Sequence, residues 1–167
     1  MHPLVWSSFQ DATREERKTI ELNLDPRLDE QSSHSTFALC SRVAPEAVAH
    51  VSVSAIWNAL EASPPSSLIR VTTAVEPDGT LSKPVARLTV SDFGAGIPAS
   101  DLERIFEPFF STKPSRLGLG LSVVQSAVDA FNGHVEVISA AGTGTTFGVR
   151  FPLQPVTMSD DPTERRR

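Results

Sequence analysis

The 167-residue chain has a single cysteine, Cys40. One thiol excludes an internal disulfide and a cysteine-rich zinc site, and its place in the apolar run Phe37-Ala-Leu-Cys40 reads as a small buried hydrophobe. Basic residues are in deficit: 15 Lys and Arg against 20 Asp and Glu leave a formal charge of −5, which argues against nucleic-acid binding by bulk charge. Glycine and proline, 9 and 13 residues, are too few for a collagen-like or low-complexity chain. No apolar run is long enough to span a bilayer, because the longest uncharged stretch, Ala47 to Leu60, is interrupted by His50, Ser52, Ser54 and Asn58. The amino terminus, Met1-His2-Pro3-Leu4-Val5-Trp6, lacks the basic start and apolar core of a signal peptide. Repeats are also absent. These absences lead to the expectation of a cytoplasmic protein with no nucleic-acid partner and no direct membrane contact. The 40% hydrophobic and 21% charged content fits one soluble domain of ordinary size.

What is present reads as alternating strands and helices. A short charged helix is expected around Asp11–Lys18, and strands over Ile20–Leu24 and Thr36–Val43 flank a Pro-, Asp- and Ser-rich loop at Asp25–Ser35. Pro45 sits where helices begin, and Glu46–Ala62 continues without a breaker up to Ser63-Pro-Pro-Ser-Ser. Leu68–Val75 and Val85–Val90 alternate apolar and polar residues and read as a hairpin turned by Pro77-Asp-Gly-Thr80. A short helix over Ala99–Ile105, a helix from Gly118 to about Asn132, and strands over Gly133–Ser139 and Thr145–Leu153 complete the pattern. The hairpins mixed among helices point to an α/β sandwich with a mixed sheet rather than a doubly wound parallel one. Residues 1–18 are expected to be an extension, 19–153 the folded domain, and 154–167 a disordered tail.

Four stretches carry chemistry. In the first helix His50, Ser54, Asn58 and Glu61 share one face, amid Val51, Val53, Ala55, Ile56, Trp57 and Leu60. Such a stripe is either the solvent side or the floor of a site, and the Asn58 carbonyl is a donor that Mg²⁺ accepts. Asp92-Phe-Gly94-Ala-Gly96 ends an apolar strand. Its glycines let backbone approach a planar ligand and its carboxylate can accept from an exocyclic amine, though an ordinary Asp-Gly turn has the same composition. The same triplet occurs in eukaryotic-type protein kinases, but no His-Arg-Asp loop or Gly-rich nucleotide loop accompanies it. Gly118-Leu-Gly120-Leu-Ser122 opens a helix, which is either a plain helix start or an anion site. It is neither a P-loop nor a complete Rossmann fingerprint. Ahead of it, Ile105-Phe-Glu-Pro-Phe-Phe110-Ser-Thr-Lys113-Pro-Ser-Arg116 supplies aromatic anchors and two cations suited to neutralising phosphate.

In this order and spacing the pieces resemble the ATP-binding catalytic domain of bacterial sensor histidine kinases, within the GHKL ATPase superfamily. Asn58-Ala-Leu-Glu-Ala62 is similar to the N box, Asp92–Gly96 to the first glycine box, and Ile105–Lys113 to the F box. Gly118–Leu121 corresponds to the second glycine box, and Gly142-Thr-Gly-Thr-Thr-Phe147 to the last glycine motif. The resemblance covers about residues 19–153 and implies a Bergerat fold: a two-layer α/β sandwich whose mixed, mostly antiparallel sheet is covered on one face by helices. It implies ATP and Mg²⁺ as cofactors, with Asn58 on the metal and Asp92 on the adenine amine. Gly94 and Gly96 would shape the base pocket, Thr145 would join its hydrogen-bond network, and Gly118, Leu119 and Gly120 would face the phosphates. Lys113 and Arg116 would close over them from a lid placed by Phe106, Phe109 and Phe110, so that Asn58, Lys113 and Arg116 act in catalysis. Two positions depart from the family pattern: Ser54 stands where an Asn or acidic residue is usual, and Arg116-Leu117-Gly118 where many members read Gly-Thr-Gly.

The resemblance further implies a helical-hairpin domain bearing the phosphoacceptor histidine, and a response regulator acted on indirectly. None of His2, His34, His50 and His134 precedes an acidic residue. The acceptor is therefore expected outside this chain, in a longer parent protein or in trans. A non-catalytic regulatory module acting by protein contact is the alternative. A hydrolysing ATPase or serine-kinase branch of the superfamily is disfavoured by Lys113 following the F box and by the second glycine box.

Overall fold

A computed structural model describes residues 17–23, 25, 45–77, 84–113 and 116–153. The expected helix at Asp11–Lys18, the loop after Asp25, the strand over Thr36–Val43, most of the Pro77–Thr80 turn and the tail fall wholly or largely outside them. The elements are β1 (Thr19–Asn23), α1 (Pro45–Ala62), β2 (Leu68–Pro77), β3 (Pro84–Asp92), α2 (Ala99–Leu102), α3 (Gly120–Ala130), β4 (His134–Ala140) and β5 (Gly144–Pro152). The five strands form one sheet in the order β1-β2-β3-β5-β4. β1 lies parallel to β2 and every other pair is antiparallel. Parallel neighbours require a crossover, and the crossover from β1 to β2 includes α1.

Strand alternation decides which face the helices cover. Paired residues run across the sheet as Val71–Val90–Phe147–Val137 and, one step along, Thr73–Leu88–Val149–Val135. Most of these side chains are buried, together with Val48, Val51, Ala55, Ala59 and Leu60 of α1 and Val124 and Val128 of α3. Here α1 packs on β2, β3, β5 and α3, while α3 packs on β4. The opposite face carries Glu76, Arg87, Glu136 and Arg150, joined as a chain of ion pairs. The two-layer, helix-covered mixed sheet expected from the sequence is the fold observed. None of the helices among the described residues is long and apolar enough to cross a membrane.

Local chemistry places the ends of α1. Its first residue is Pro45, whose missing N–H is one the first turn does not need. At the other end, Ser63 Oγ donates to the Ala59 carbonyl (2.6 Å), Lys18 Nζ to that of Leu60 (2.6 Å), and the Ala95 N–H to that of Ala62 (3.2 Å). The Leu60 and Ala62 carbonyls, which the helix cannot satisfy itself, are thus paired, the first by a buried cation at the negative end of the dipole, while the Ala59 carbonyl accepts the Ser63 hydroxyl in addition to the Ser63 backbone N–H at 3.1 Å. Two boundaries differ from the sequence reading. α3 begins at Gly120, because Gly118 has φ +67°, a left-handed conformation that cannot continue into a helix. α2 is regular only to Leu102, after which the chain proceeds in turns toward Pro108.

Leu88, 1% exposed on the central strand, tests where the core lies. Leu88→Ala should lower unfolding free energy by about 2–5 kcal/mol, whereas Val123→Ala on the exposed side of α3 should change it by about 0.5 kcal/mol or less. Denaturant titration of both variants checks the contrast.

Candidate functional site

The inner-face alternation of β3 runs Ala86, Leu88, Val90 and then Asp92, so the strand ends by pointing a carboxylate to the helix-covered side. Asp92 is 7% exposed. Its Oδ1 accepts the N–H of Gly94 at 2.9 Å and that of Thr145 at 3.3 Å. Burial raises its pKa above the ordinary aspartate value, while these two N–H groups and the Lys113 ammonium oppose the rise. Glycines allow the close approaches. A Cβ on Gly94 would collide with the Ala62 carbonyl, and one on Gly144, at φ +94°, with the Asp92 backbone.

Asp92 pairs across the sheet with Thr145, and Thr145 with Ser139. Ser139 was not singled out by sequence reasoning, although the alternation Val135, Val137, Ser139 in β4 is the signal that places it on the inner face. Its Oγ accepts the Ile97 N–H (2.8 Å), donates to the Gly144 carbonyl (2.9 Å) and meets Thr145 Oγ1 (3.0 Å).

A cavity of about 780 Å³ is lined by Asp92, by α1 residues between Val53 and Ala62, and by residues 110–113 and 116–121. Ser54, Asn58 and Glu61 all line it, so for these three the polar stripe is the wall of a site. His50, the fourth, is exposed and lies off the cavity. Glu61 is the meeting point of this wall. Trp57 Nε1 donates to its Oε1 at 2.7 Å, Lys113 Nζ donates to its Oε2 at 2.8 Å, and Arg116 pairs with Oε1. The Arg116 guanidinium also stands 5.8 Å from the centre of the Trp57 ring. Burial lowers the Lys113 pKa below the ordinary lysine value; Asp92 opposes that fall and Lys18 adds to it.

The loop that carries these cations is held by its own backbone. Gly118 turns back so that its carbonyl accepts the Phe109 N–H at 2.9 Å, and a Cβ there would strike the Phe110 carbonyl. The three phenylalanines of the segment part ways: Phe106 packs on the core, Phe110 lines the cavity beneath Arg104, and Phe109 is 75% exposed. Of the residues named from the sequence, Asn58, Asp92, Gly96, Lys113, Arg116, Gly118, Leu119, Gly120 and Thr145 line the one cavity. Gly94 does not line it; it is packed against the end of α1.

Comparison with known proteins identifies the family and the fold. A family model for histidine kinase-, DNA gyrase B- and HSP90-like ATPases matches residues 44–155, and the chain belongs to that family, whose domain binds ATP. Among similar sequences are the sensor histidine kinase ZraS of Escherichia coli K12, 34% identical over 109 residues, and the signal transduction histidine-protein kinase AtoS of the same strain, 34% over 110. These alignments take in 65% and 66% of this chain but 22% and 17% of those proteins, so the chain spans about a fifth of the length of the curated relatives it matches. The catalytic domain of histidine kinase ThkA, in a nucleotide-free form, superposes with a TM-score of 0.67 at 23% identity, covering 90% of each chain. Full-length ShkA, solved with AMPPNP, superposes with a TM-score of 0.68 at 20% identity over 92% of this chain and 29% of that one. These superpositions show the shared fold.

Two outcomes follow from the geometry around Asp92. Gly144→Ala should be far more damaging to stability and nucleotide binding than Gly142→Ala, which shares a positive φ but has nothing within 4 Å of a new Cβ; thermal melts and nucleotide titrations of the pair check this. Acidification should act on Asp92 in two opposite senses. Its raised pKa means that the proton returns above 3.8, so its strength as an acceptor for an N–H donor falls there. Relative to Asp92→Asn, wild-type stability rises over the same window, because a carboxyl whose pKa is raised by folding stabilises the fold in its protonated form. Binding and melting measured from neutral pH down to the ordinary aspartate range, in both proteins, decide it.

Proposed function

We propose that residues 19–153 are the ATP-binding catalytic domain of a sensor histidine kinase, working in the cytoplasm and passing the γ-phosphoryl group of ATP to a histidine outside this chain. One observation carries the reading: a single cavity is lined by a buried carboxylate acceptor, Asp92, and by two cations, Lys113 and Arg116. An adenine nucleotide carries the complementary groups, an amine donor on the base and anionic oxygens on the tail. Asp92 uses Oδ1 for the two backbone N–H groups, which leaves Oδ2 to receive the base amine. Gly96 and Thr145 line the same cavity and would border the base, and Gly118, Leu119 and Gly120, where α3 begins, would border the phosphates.

Magnesium suits the donor set. The described residues contain no cluster of three or more His, Cys, Asp or Glu side chains able to hold a metal. Mg²⁺ does not need one, since it binds through one or two protein oxygens plus phosphates and water. Asn58 would offer its carbonyl oxygen from the cavity wall. The metal, when bound, supplies charge neutralisation between phosphate oxygens. The chain's own residues orient the base, hold the triphosphate and offset its charge. The acceptor histidine belongs to a helical-hairpin partner, in a longer parent chain or in trans, which in turn serves a response regulator. His50 and His134 are exposed and neither lines the cavity, in keeping with an external acceptor.

Calorimetry should show ATP bound more tightly than GTP by about 1–3 kcal/mol, because a guanine carbonyl would face the Asp92 acceptor. Asp92→Asn should erase that preference, and equal affinities in the wild type would overturn the adenine assignment. Asn58→Ala should weaken Mg²⁺-ATP more than metal-free ADP; an equal loss would make the amide structural. With labelled ATP, acid-labile phosphate should appear on an added helical-hairpin domain and not on this chain alone.

A further inference from the structure

Building on the adenine reading, we infer that Ser139 is a positioning residue that fixes the hydroxyl proton of Thr145, making the base end of the cavity an all-acceptor surface selective for an amine-bearing base. Ser139 does not line the cavity, whereas Thr145 does. The serine therefore acts through its neighbour.

A serine hydroxyl has one proton to give and two lone pairs to receive. Three groups surround Ser139 Oγ at hydrogen-bonding distance. The Ile97 N–H, at 2.8 Å, can only donate and occupies one lone pair. The Gly144 carbonyl, at 2.9 Å, can only accept and takes the single proton. The third group is Thr145 Oγ1 at 3.0 Å, a hydroxyl able to act either way. With the serine proton already committed, that contact is favourable only if Thr145 donates into the remaining lone pair.

The Thr145 proton thus points away from the cavity, and its oxygen turns lone pairs toward any ligand. On the paired residue across the sheet, Asp92 offers Oδ2, also an acceptor. An exocyclic amine carries two hydrogens and can satisfy both groups, directly or through a water that donates to them. A base with a carbonyl at that edge meets acceptors only. If Ser139 is removed, the Thr145 hydroxyl is free to rotate and donate into the cavity, and a carbonyl becomes tolerated. The same serine also ties Ile97 of the glycine loop to the start of β5, so base edge and loop are set by one side chain.

The test is a double-mutant cycle read as a ratio of affinities, which is insensitive to a change in the folded fraction. Metal-free ADP and GDP are titrated into wild type, Ser139→Ala, Thr145→Val and the double variant, with melting temperatures recorded alongside. Wild type should prefer ADP, and Ser139→Ala should reduce that preference by about five- to tenfold, the worth of one hydrogen bond to a buried group. In the Thr145→Val background the serine substitution should change the ratio by less than about twofold, since the group it acts through is gone. A Ser139→Ala ratio within about twofold of wild type, or the same loss in both backgrounds, overturns the proposal and leaves Ser139 as a loop tether. No ADP preference in the wild type would instead remove the adenine reading itself. If Ser139→Ala does not fold, Ser139→Cys, a weak acceptor of similar size, should move the ratio in the same direction.

Discussion

An aspartate carboxylate taken out of water at the end of a central strand is the demand that the surrounding structure answers. Leaving such a charge unpaired in an apolar interior costs several kcal/mol, so Asp92 persists only with donors supplied at fixed positions. Those donors are backbone N–H groups from two separate segments, the turn at Gly94 and the start of β5 at Thr145. Neither segment has room for a Cβ: at Gly94 it would strike the Ala62 carbonyl, and at Gly144, beside Thr145, the Asp92 backbone. The same turn presses on the end of α1, where Lys18 pairs a further carbonyl. Helix, glycine loop and two strands are thereby locked around one carboxyl group, and the cavity takes its shape from that lock.

A second carboxylate, at Glu61, lives under the opposite conditions. It is half-buried on the cavity wall, and its two oxygens are shared among Trp57, Lys113 and Arg116. One carboxylate is thus shared by two cations, so the cluster of three keeps a net charge of +1. Under the proposed function, arriving phosphates would meet that charge and compete with Glu61 for both cations. Such partly exposed ion pairs contribute little to stability, which keeps the exchange shallow in energy. Under the proposed function the two acids would divide the work: Asp92, fixed by two backbone N–H groups, would read the base, and Glu61, partly exposed, would hold the cations until phosphates replace it.

The sheet separates these roles from the rest of the surface. Its inner face is mainly apolar, with Thr73 a buried exception, until the row where Asp92, Thr145 and Ser139 lie side by side. Its outer face carries the Glu76–Arg87–Glu136–Arg150 chain and the Arg70–Glu21 pair. Helices consequently pack on one side only, and the polar row lies at the edge of the core, where a cavity can open.

Much of this was legible in the residue order. The period of α1, its proline start and its Ser-Pro-Pro end, the two-residue alternation of β2, β3, β4 and β5, and the order of the glycine- and phenylalanine-rich motifs were all read from neighbours a few positions apart, and they fell within a few residues of the observed elements. Such patterns are local because backbone periodicity and turn chemistry are local. The tertiary structure alone decided the rest. Nothing in the alternation of β1 says that it lies parallel to β2, that Glu61 meets cations 52 and 55 positions away, that Gly94 serves the helix end rather than the cavity, or that Ser139 stands behind Thr145. Those facts depend on sheet register and on which side chains the closed fold brings within 3 Å, and hydrogen-bond pairing at that range is fixed only when the whole core has packed.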